Sequence, residues 1–182
     1  TYTNNDYGKG LASSIQSNFE KLGGKVTLSA AHEDGKGDYT AEVAALAAAG
    51  GDILIVAGYL DQGGRGIIRS ALDTGAFNRF FLPDGMIGDS LPKAIGSGLN
   101  GSFGVAPGTD SPGAKKFEEM AKANKINVGP YTHQSYDAAA LMLLGMQAAK
   151  STDSAKVKDK IMEIANGPGE KIYTGELAKG LK

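Results

Sequence analysis

Three short stretches each set a polar or aromatic side chain where the pattern turns from strand to helix. They are Asn4-Asn5-Asp6-Tyr7-Gly8-Lys9-Gly10, Ala57-Gly58-Tyr59-Leu60-Asp61-Gln62-Gly63 and Leu82-Pro83-Asp84-Gly85. In an open α/β sheet, ligands bind in the crevice outside the carboxyl ends of the strands. Tyr7, Tyr59 and Asp84 are therefore expected to converge on one crevice, as two aromatic walls and one carboxylate. That set suits a small ligand with an apolar part and a positive charge, since a carboxylate holds a cation by charge-assisted hydrogen bonds. It does not suit phosphate, which the carboxylate would repel.

Other chemistries find little support. Gly63-Gly64-Arg65-Gly66 and Gly35-Lys36-Gly37 invite a phosphate-loop reading, but neither has the Gly-x-Gly-x-x-Gly spacing between strand and helix that a dinucleotide site needs. Cysteine is absent, which removes disulfides, thiolate metal sites and thiol nucleophiles. His32 and His133 stand far apart with no second histidine at ligand spacing, so no metal and no cofactor is expected. Ser13, Ser14 and Ser135 have no positioned His-Asp relay readable from the sequence, and no enzymatic activity is expected.

The elements that must position the three side chains alternate through the first half. Residues 7–22 read as a helix with Leu11, Ile15, Phe19 and Leu22 on one face. Residues 25–33 read as a strand, 40–49 as an alanine-rich helix, and 52–58 as a strand whose continuous run Ile53-Leu54-Ile55-Val56-Ala57 belongs in a parallel sheet covered on both faces. A helix over 62–73, strand over 79–82, helix over 90–95 and strand over 102–106 follow. Strands separated by helices imply right-handed crossovers and a doubly wound α/β sheet, largely parallel, with helices on both faces.

The pattern changes after Pro107. A run rich in Gly, Pro, Ser and Asp over 108–113 reads as a linker, and helices follow over 114–123, 131–150 and 154–166, with a strand expected over 171–174. The second half thus offers helices without a sheet to cover. At the other end only Thr1-Tyr2-Thr3 precede the first helix where a whole strand is expected. Both features point to a piece of a larger protein.

Length and charge bound the rest. The 182 residues suit one domain or slightly more. A formal net charge of -1 gives no electrostatic reason for a nucleic-acid or anionic-membrane partner. No apolar run approaches the roughly 20 residues that cross a bilayer.

The opening Thr1-Tyr2-Thr3-Asn4-Asn5-Asp6-Tyr7-Gly8-Lys9-Gly10 resembles the start of the second lobe of the branched-chain amino-acid binding proteins, and the strand ending in Gly58-Tyr59, the Pro83-Asp84-Gly85 turn, residues 101–107, Tyr136-Asp137-Ala138-Ala139 and Asn166-Gly167-Pro168-Gly169-Glu170 are similar to motifs that recur in that family in this order. These are type I periplasmic solute receptors of ABC importers. The resemblance covers essentially the whole chain. It implies two α/β lobes with the ligand in the cleft between them. On that pattern residues 1–107 form the second lobe, with its first strand truncated, and 108–182 supply helices that pack on a first lobe absent from this chain.

The resemblance also implies roles. Tyr7 takes the place of an aromatic that closes over the ligand, and Tyr59 lies in the Gly-Tyr turn that lines the cleft. Asp84 matches the acidic residue that receives the ligand's α-ammonium, although many relatives carry the longer Glu there. Tyr131 lies near an aromatic that sets specificity. The expected function is extracytoplasmic capture of a branched-chain or otherwise apolar amino acid, in the periplasm or on a lipid anchor, and delivery to an ABC permease in the inner membrane. The competing readings are a Rossmann-like enzyme fragment, which lacks a phosphate loop or nucleophile elbow, and a cytoplasmic amide or amino-acid sensor of the same fold.

Overall fold

The computed structural model describes residues 1–108 and 110–181; Thr109, within the run expected as a linker, and Lys182 lie outside them. The chain forms two compact units, Thr1–Ala106 and Pro107–Lys182.

In the first unit the strands are β1 (Tyr2–Thr3), β2 (Ala31–His32), β3 (Leu54–Ile55), β4 (Phe80–Leu82) and β5 (Phe103–Gly104). The helices are α1 (Asp6–Lys21), α2 (Thr40–Ala49), α3 (Arg65–Asp73) and α4 (Ser90–Ile95). Every pairing is parallel: β1 with β2, β3 with β4, and β4 with β5. A parallel bridge from Tyr2 to Ala57 joins the two sets, supported by the amide of Thr3 donating to the Ala57 carbonyl at 2.9 Å. The strand order is therefore 2-1-3-4-5, a doubly wound order whose direction reverses between β1 and β3.

The period of two along the strands sorts the apolar residues between the faces. Leu54, Val56, Phe80 and Leu82 point into the core, where α2 supplies Val43 and Leu46 and α3 supplies Ile67, Ile68 and Ala71. The i, i+1, i+4 spacing on α3 makes one apolar stripe. Both of its isoleucines are fully buried, and each contributes roughly 1.5–3 kcal/mol of hydrophobic stabilisation. Ile53, Ile55, Phe81 and Phe103 point to the other face, where with Ile15 and Phe19 of α1 they line a groove of about 520 Å³.

Three expectations need correction. The strand expected over 25–33 pairs only at Ala31–His32, because β1 offers just Tyr2 and Thr3 as partners. The apolar face of α1 is not all buried: Phe19 is 48% and Leu22 87% exposed. The Phe19 ring lies over Gly24, in the turn that ends the helix, and Leu22 sits at the helix end beyond the sheet. No strand forms over 171–174; the Tyr173 amide donates instead to the Glu176 carboxylate at 3.1 Å, an arrangement of a turn with no neighbouring strand to pair.

The second unit holds α5 (Pro112–Ala123), α6 (Thr132–Ala149), α7 (Ser154–Asn166) and α8 (Leu177–Gly180). Ser111 caps α5 through its hydroxyl and Pro112 follows at the first helical position, the pairing that leaves fewest amides orphaned. Asp153 caps α7 in the same way. Gly145 lets α7 approach α6, since a Cβ there would stand 3.1 Å from Ile161 and 3.3 Å from Val157. Met142 and Leu143 on α6 remain about half exposed, so one apolar side of that helix is open. Among the described residues no helix is long and apolar enough to cross a membrane.

Candidate functional site

Each of the three expected crevice residues sits just past the carboxyl end of a strand. Tyr7 lies in the first turn of α1, whose start is set by Asn5: its side chain accepts from the Gly8 amide at 2.9 Å. Gly8 is buried against β1, and a Cβ there would lie 2.1 Å from the Thr3 carbonyl oxygen. Only glycine allows the helix to begin so close to the strand that Tyr7 hangs over its end. Tyr59 follows β3 and precedes a π-helical turn, Leu60–Gly64, a turn type often found at functional sites. Its carbonyl accepts from the amides of Gln62 and Gly64. Asp84 follows β4 and Pro83 and opens a single 3-10 turn, Asp84–Met86.

These three turns meet. The Tyr7 and Tyr59 rings are stacked, centroid to centroid 5.0 Å at an interplanar angle of 23°. The Tyr7 hydroxyl donates to Asp84 Oδ1 at 2.9 Å and accepts from the Gly85 amide at 3.3 Å. The two rings form one continuous aromatic surface, because at 5.0 Å between centroids nothing fits between them. All three side chains are partly buried, so the patch is open on one side.

Burial and the hydrogen bond to Asp84, in that order, push the Tyr7 phenol up to about 12. Tyr7 thus stays a neutral donor at any physiological pH. Its share of stability is complete below the ordinary phenol value of about 10 and is lost only as pH rises through about 12. The neutral hydroxyl holds the carboxylate in place without neutralising it.

Gly85 was not singled out from the sequence. A Cβ there would stand 2.5 Å from the Gly58 carbonyl, 2.9 Å from the Tyr7 hydroxyl and 3.4 Å from the Tyr59 ring. It is the point of closest approach of the three turns. The Pro83-Asp84-Gly85 sequence signals a turn, but the crowding comes from residues 27 and 78 positions away in the chain.

The glycines of the second turn also have a packing role. A Cβ at Gly64 would lie 2.1 Å from the Met86 sulfur and one at Gly66 2.7 Å from the Tyr39 ring. Among the described residues no group of three or more His, Cys, Asp or Glu could hold a metal ion.

Tyr131, the fourth expected site residue, lies in the second unit at the start of α6. Its backbone is left-handed, φ 67° and ψ 0°, a conformation that costs a non-glycine residue roughly 1–2 kcal/mol. Thr132 secures the turn by donating from its hydroxyl to the Gly129 carbonyl at 2.8 Å. The ring is half-buried. If the strain serves to aim the ring, Tyr131→Gly should unfold at the same or a slightly higher temperature while weakening ligand binding. A loss of several degrees in melting temperature would make the ring a packing residue.

The patch thus lies at the switch point of a doubly wound parallel sheet, where open α/β sheets take their ligands. The chain belongs to the periplasmic binding protein family, whose model matches residues 1–172. It is 29% identical over 175 residues to a Leu/Ile/Val-binding protein homolog from Brucella suis, covering 94% of this chain and 46% of that protein. A leucine-binding protein from Thermotoga maritima is similar in structure, with a TM-score of 0.71, 26% identity and coverage of 86% of this chain and 45% of that one. A type 1 periplasmic binding protein from Bordetella pertussis shares the fold at a TM-score of 0.77 and 21% identity, covering 96% of this chain and 52% of the other. The chain spans about half the length of the relatives it matches. Its fold is the type I periplasmic-binding-protein fold.

Proposed function

We propose that this chain is part of an extracytoplasmic substrate-binding protein that captures an amino acid with a branched or otherwise apolar side chain. The observation that carries the reading is the meeting of Tyr7, Tyr59 and Asp84 at the switch point of the sheet. Asp84 receives the ligand's α-ammonium, and the stacked rings of Tyr7 and Tyr59 cover its apolar part. The names of the relatives, Leu/Ile/Val-binding and leucine-binding, support the same ligand class. Tyr131 contributes to side-chain selection. A first lobe completes the pocket, closure of the two lobes traps the ligand, and the closed form presents it to an ABC permease.

The test is to express the two-lobed protein, release its bound ligand by denaturation and identify it by mass spectrometry. An aliphatic amino acid is the expected result, and a phosphorylated or anionic compound would overturn the reading. Tyr7→Ala should then weaken leucine binding chiefly through faster dissociation, since contacts made on closure act on release. Unchanged dissociation in stopped-flow together with a large loss of apo stability would make Tyr7 a packing residue.

A further inference from the structure

Below the Tyr59 turn lies a buried polar cluster that ligand contact does not use. Thr3, His32 and Tyr39 are each at most 2% exposed. The Thr1 hydroxyl donates to the Ala30 carbonyl at 2.9 Å and lies 2.9 Å from His32 Nδ1. Donating to Ala30 leaves Thr1 an acceptor for the ring, and on that assignment neutral His32 carries its proton on Nδ1. Its Nε2 is then a bare lone pair. Asp34 accepts from the Thr3 hydroxyl through Oδ2 at 2.5 Å. Its other oxygen, Oδ1, faces His32 Nε2 at 3.8 Å. Both of these atoms are buried and neither has a hydrogen-bond partner.

The turn that carries Tyr59 rests on this pair. A Cβ at Gly58 would stand 3.1 Å from His32 Nε2. A Cβ at Gly63 would stand 2.8 Å from Asp34 Oδ1 and from the Tyr39 hydroxyl, and 3.2 Å from His32 Cδ2. Both glycines are buried, and they bracket Tyr59 on either side. Two acceptor atoms packed against backbone with no donor between them are held there by the surrounding structure, since burying an unsatisfied acceptor is unfavourable.

We propose that His32 and Asp34 are positioning residues for the Tyr59 wall: a buried pair that supports the Gly58–Gly63 turn and shifts it when acid places a proton between them. The proposal rests on the reading of Tyr59 as a ligand contact. A proton on Nε2 turns the contact into a charge-assisted hydrogen bond of about 2.8 Å. Closing the present 3.8 Å gap to that length moves the ring and carboxylate on which Gly58 and Gly63 lie by about 1 Å.

The charged and titratable groups around His32 are Asp34 and Glu33 beside it in sequence, Glu42 of α2, and the amino group of Thr1. Tyr39 meets the ring edge-on at 6.2 Å, and Lys36, paired with Glu42, lies over Tyr39. Burial is the largest influence and lowers His32 below its ordinary value; Asp34 opposes it. The folded chain therefore binds this proton less readily than the unfolded chain. The stabilisation is complete above the ordinary imidazole value of about 6.5 and is lost as pH falls through the lowered folded value.

The test is an NMR titration of the chain from pH 7.5 to 5, following the ring signals of His32 and His133 and the amides of Gly58 and Gly63. His32 should begin to titrate only below about 6.5, and the Gly58 and Gly63 amides and the Tyr59 ring should shift with the same midpoint. The Thr1 amino group, lowered to about 6 by burial, titrates in the same window, so a variant is needed to separate them. Asp34→Asn keeps an acceptor for Thr3 and supplies an N–H to Nε2, which satisfies neutral His32. The shared shift should vanish above pH 5 in that variant, whatever remains being due to Thr1. If the two glycines and Tyr59 do not follow His32, or if Asp34→Asn keeps the full response, the proposal is wrong. In the two-lobed protein, leucine binding should weaken in step with the His32 titration, by less than about tenfold at pH 5.5, and Asp34→Asn should hold its affinity. A protein that binds no apolar amino acid at pH 7.5 would refute the proposed function, and the ring titration would still decide the role of the pair.

Discussion

Asp84→Ala should weaken leucine binding by the two-lobed protein by at least tenfold, and by two to three decades if the pair with the ligand ammonium is well desolvated. Removing one partner of a buried, hydrogen-bonded charge pair costs roughly 2–5 kcal/mol, much of it from stranding the other charge. The apo protein should lose little, because the carboxylate is only partly buried and the Tyr7 hydroxyl keeps the Gly85 amide as a partner. Asp84→Asn separates charge from shape: the amide oxygen can still accept from Tyr7, yet no negative charge faces the ligand. If charge is what matters, Asn and Ala should be nearly equally poor. Calorimetric titration giving wild-type affinity for either variant would remove Asp84 from the site.

The second large effect is expected at Gly85. A methyl group there must displace the Gly58 carbonyl, 2.5 Å away, or the Tyr7 hydroxyl, 2.9 Å away. The carbonyl is backbone and cannot rotate aside, so the turn after β4 must retreat from the turn after β3. Overpacking of this kind typically costs 1–3 kcal/mol. The damage falls on the contact that sets Asp84 against Tyr7, so Gly85→Ala should lower leucine affinity by more than tenfold and lower the melting temperature by several degrees. Because the Tyr7 phenol depends on Asp84 for part of its upward shift, spectroscopic titration should also bring Tyr7 down toward about 10, the ordinary phenol value. A variant with normal affinity and an unmoved tyrosine titration would show that the three turns are not locked together there.

Much of the scaffold was legible because its signals are local. The apolar stripe of α3 and the alanine-rich α2 each lie within the element they define. The strand ends carrying Tyr7, Tyr59 and Asp84 could be read from turn residues following short apolar runs. Strand lengths could not, since a strand extends only as far as a neighbour pairs with it, and β1 offers β2 two residues.

The placement of a carboxylate and two tyrosines at strand ends was thus determined by the sequence alone, together with the absence of thiol chemistry. Only the tertiary structure decided that the two rings stack on each other, that the Tyr7 hydroxyl crosses 77 positions of sequence to reach Asp84, and that Gly85 is where the turns touch. The same holds for His32 and Asp34. In sequence they are a lone histidine and a turn acid; beneath Gly58 and Gly63, His32 Nε2 and Asp34 Oδ1 face each other as buried atoms 3.8 Å apart. The physical reason is common to all of these. Hydrogen bonds, ring stacking and close backbone approach act over about 3–5 Å, and which distant residues come within that range is set by the order and crossing of the strands.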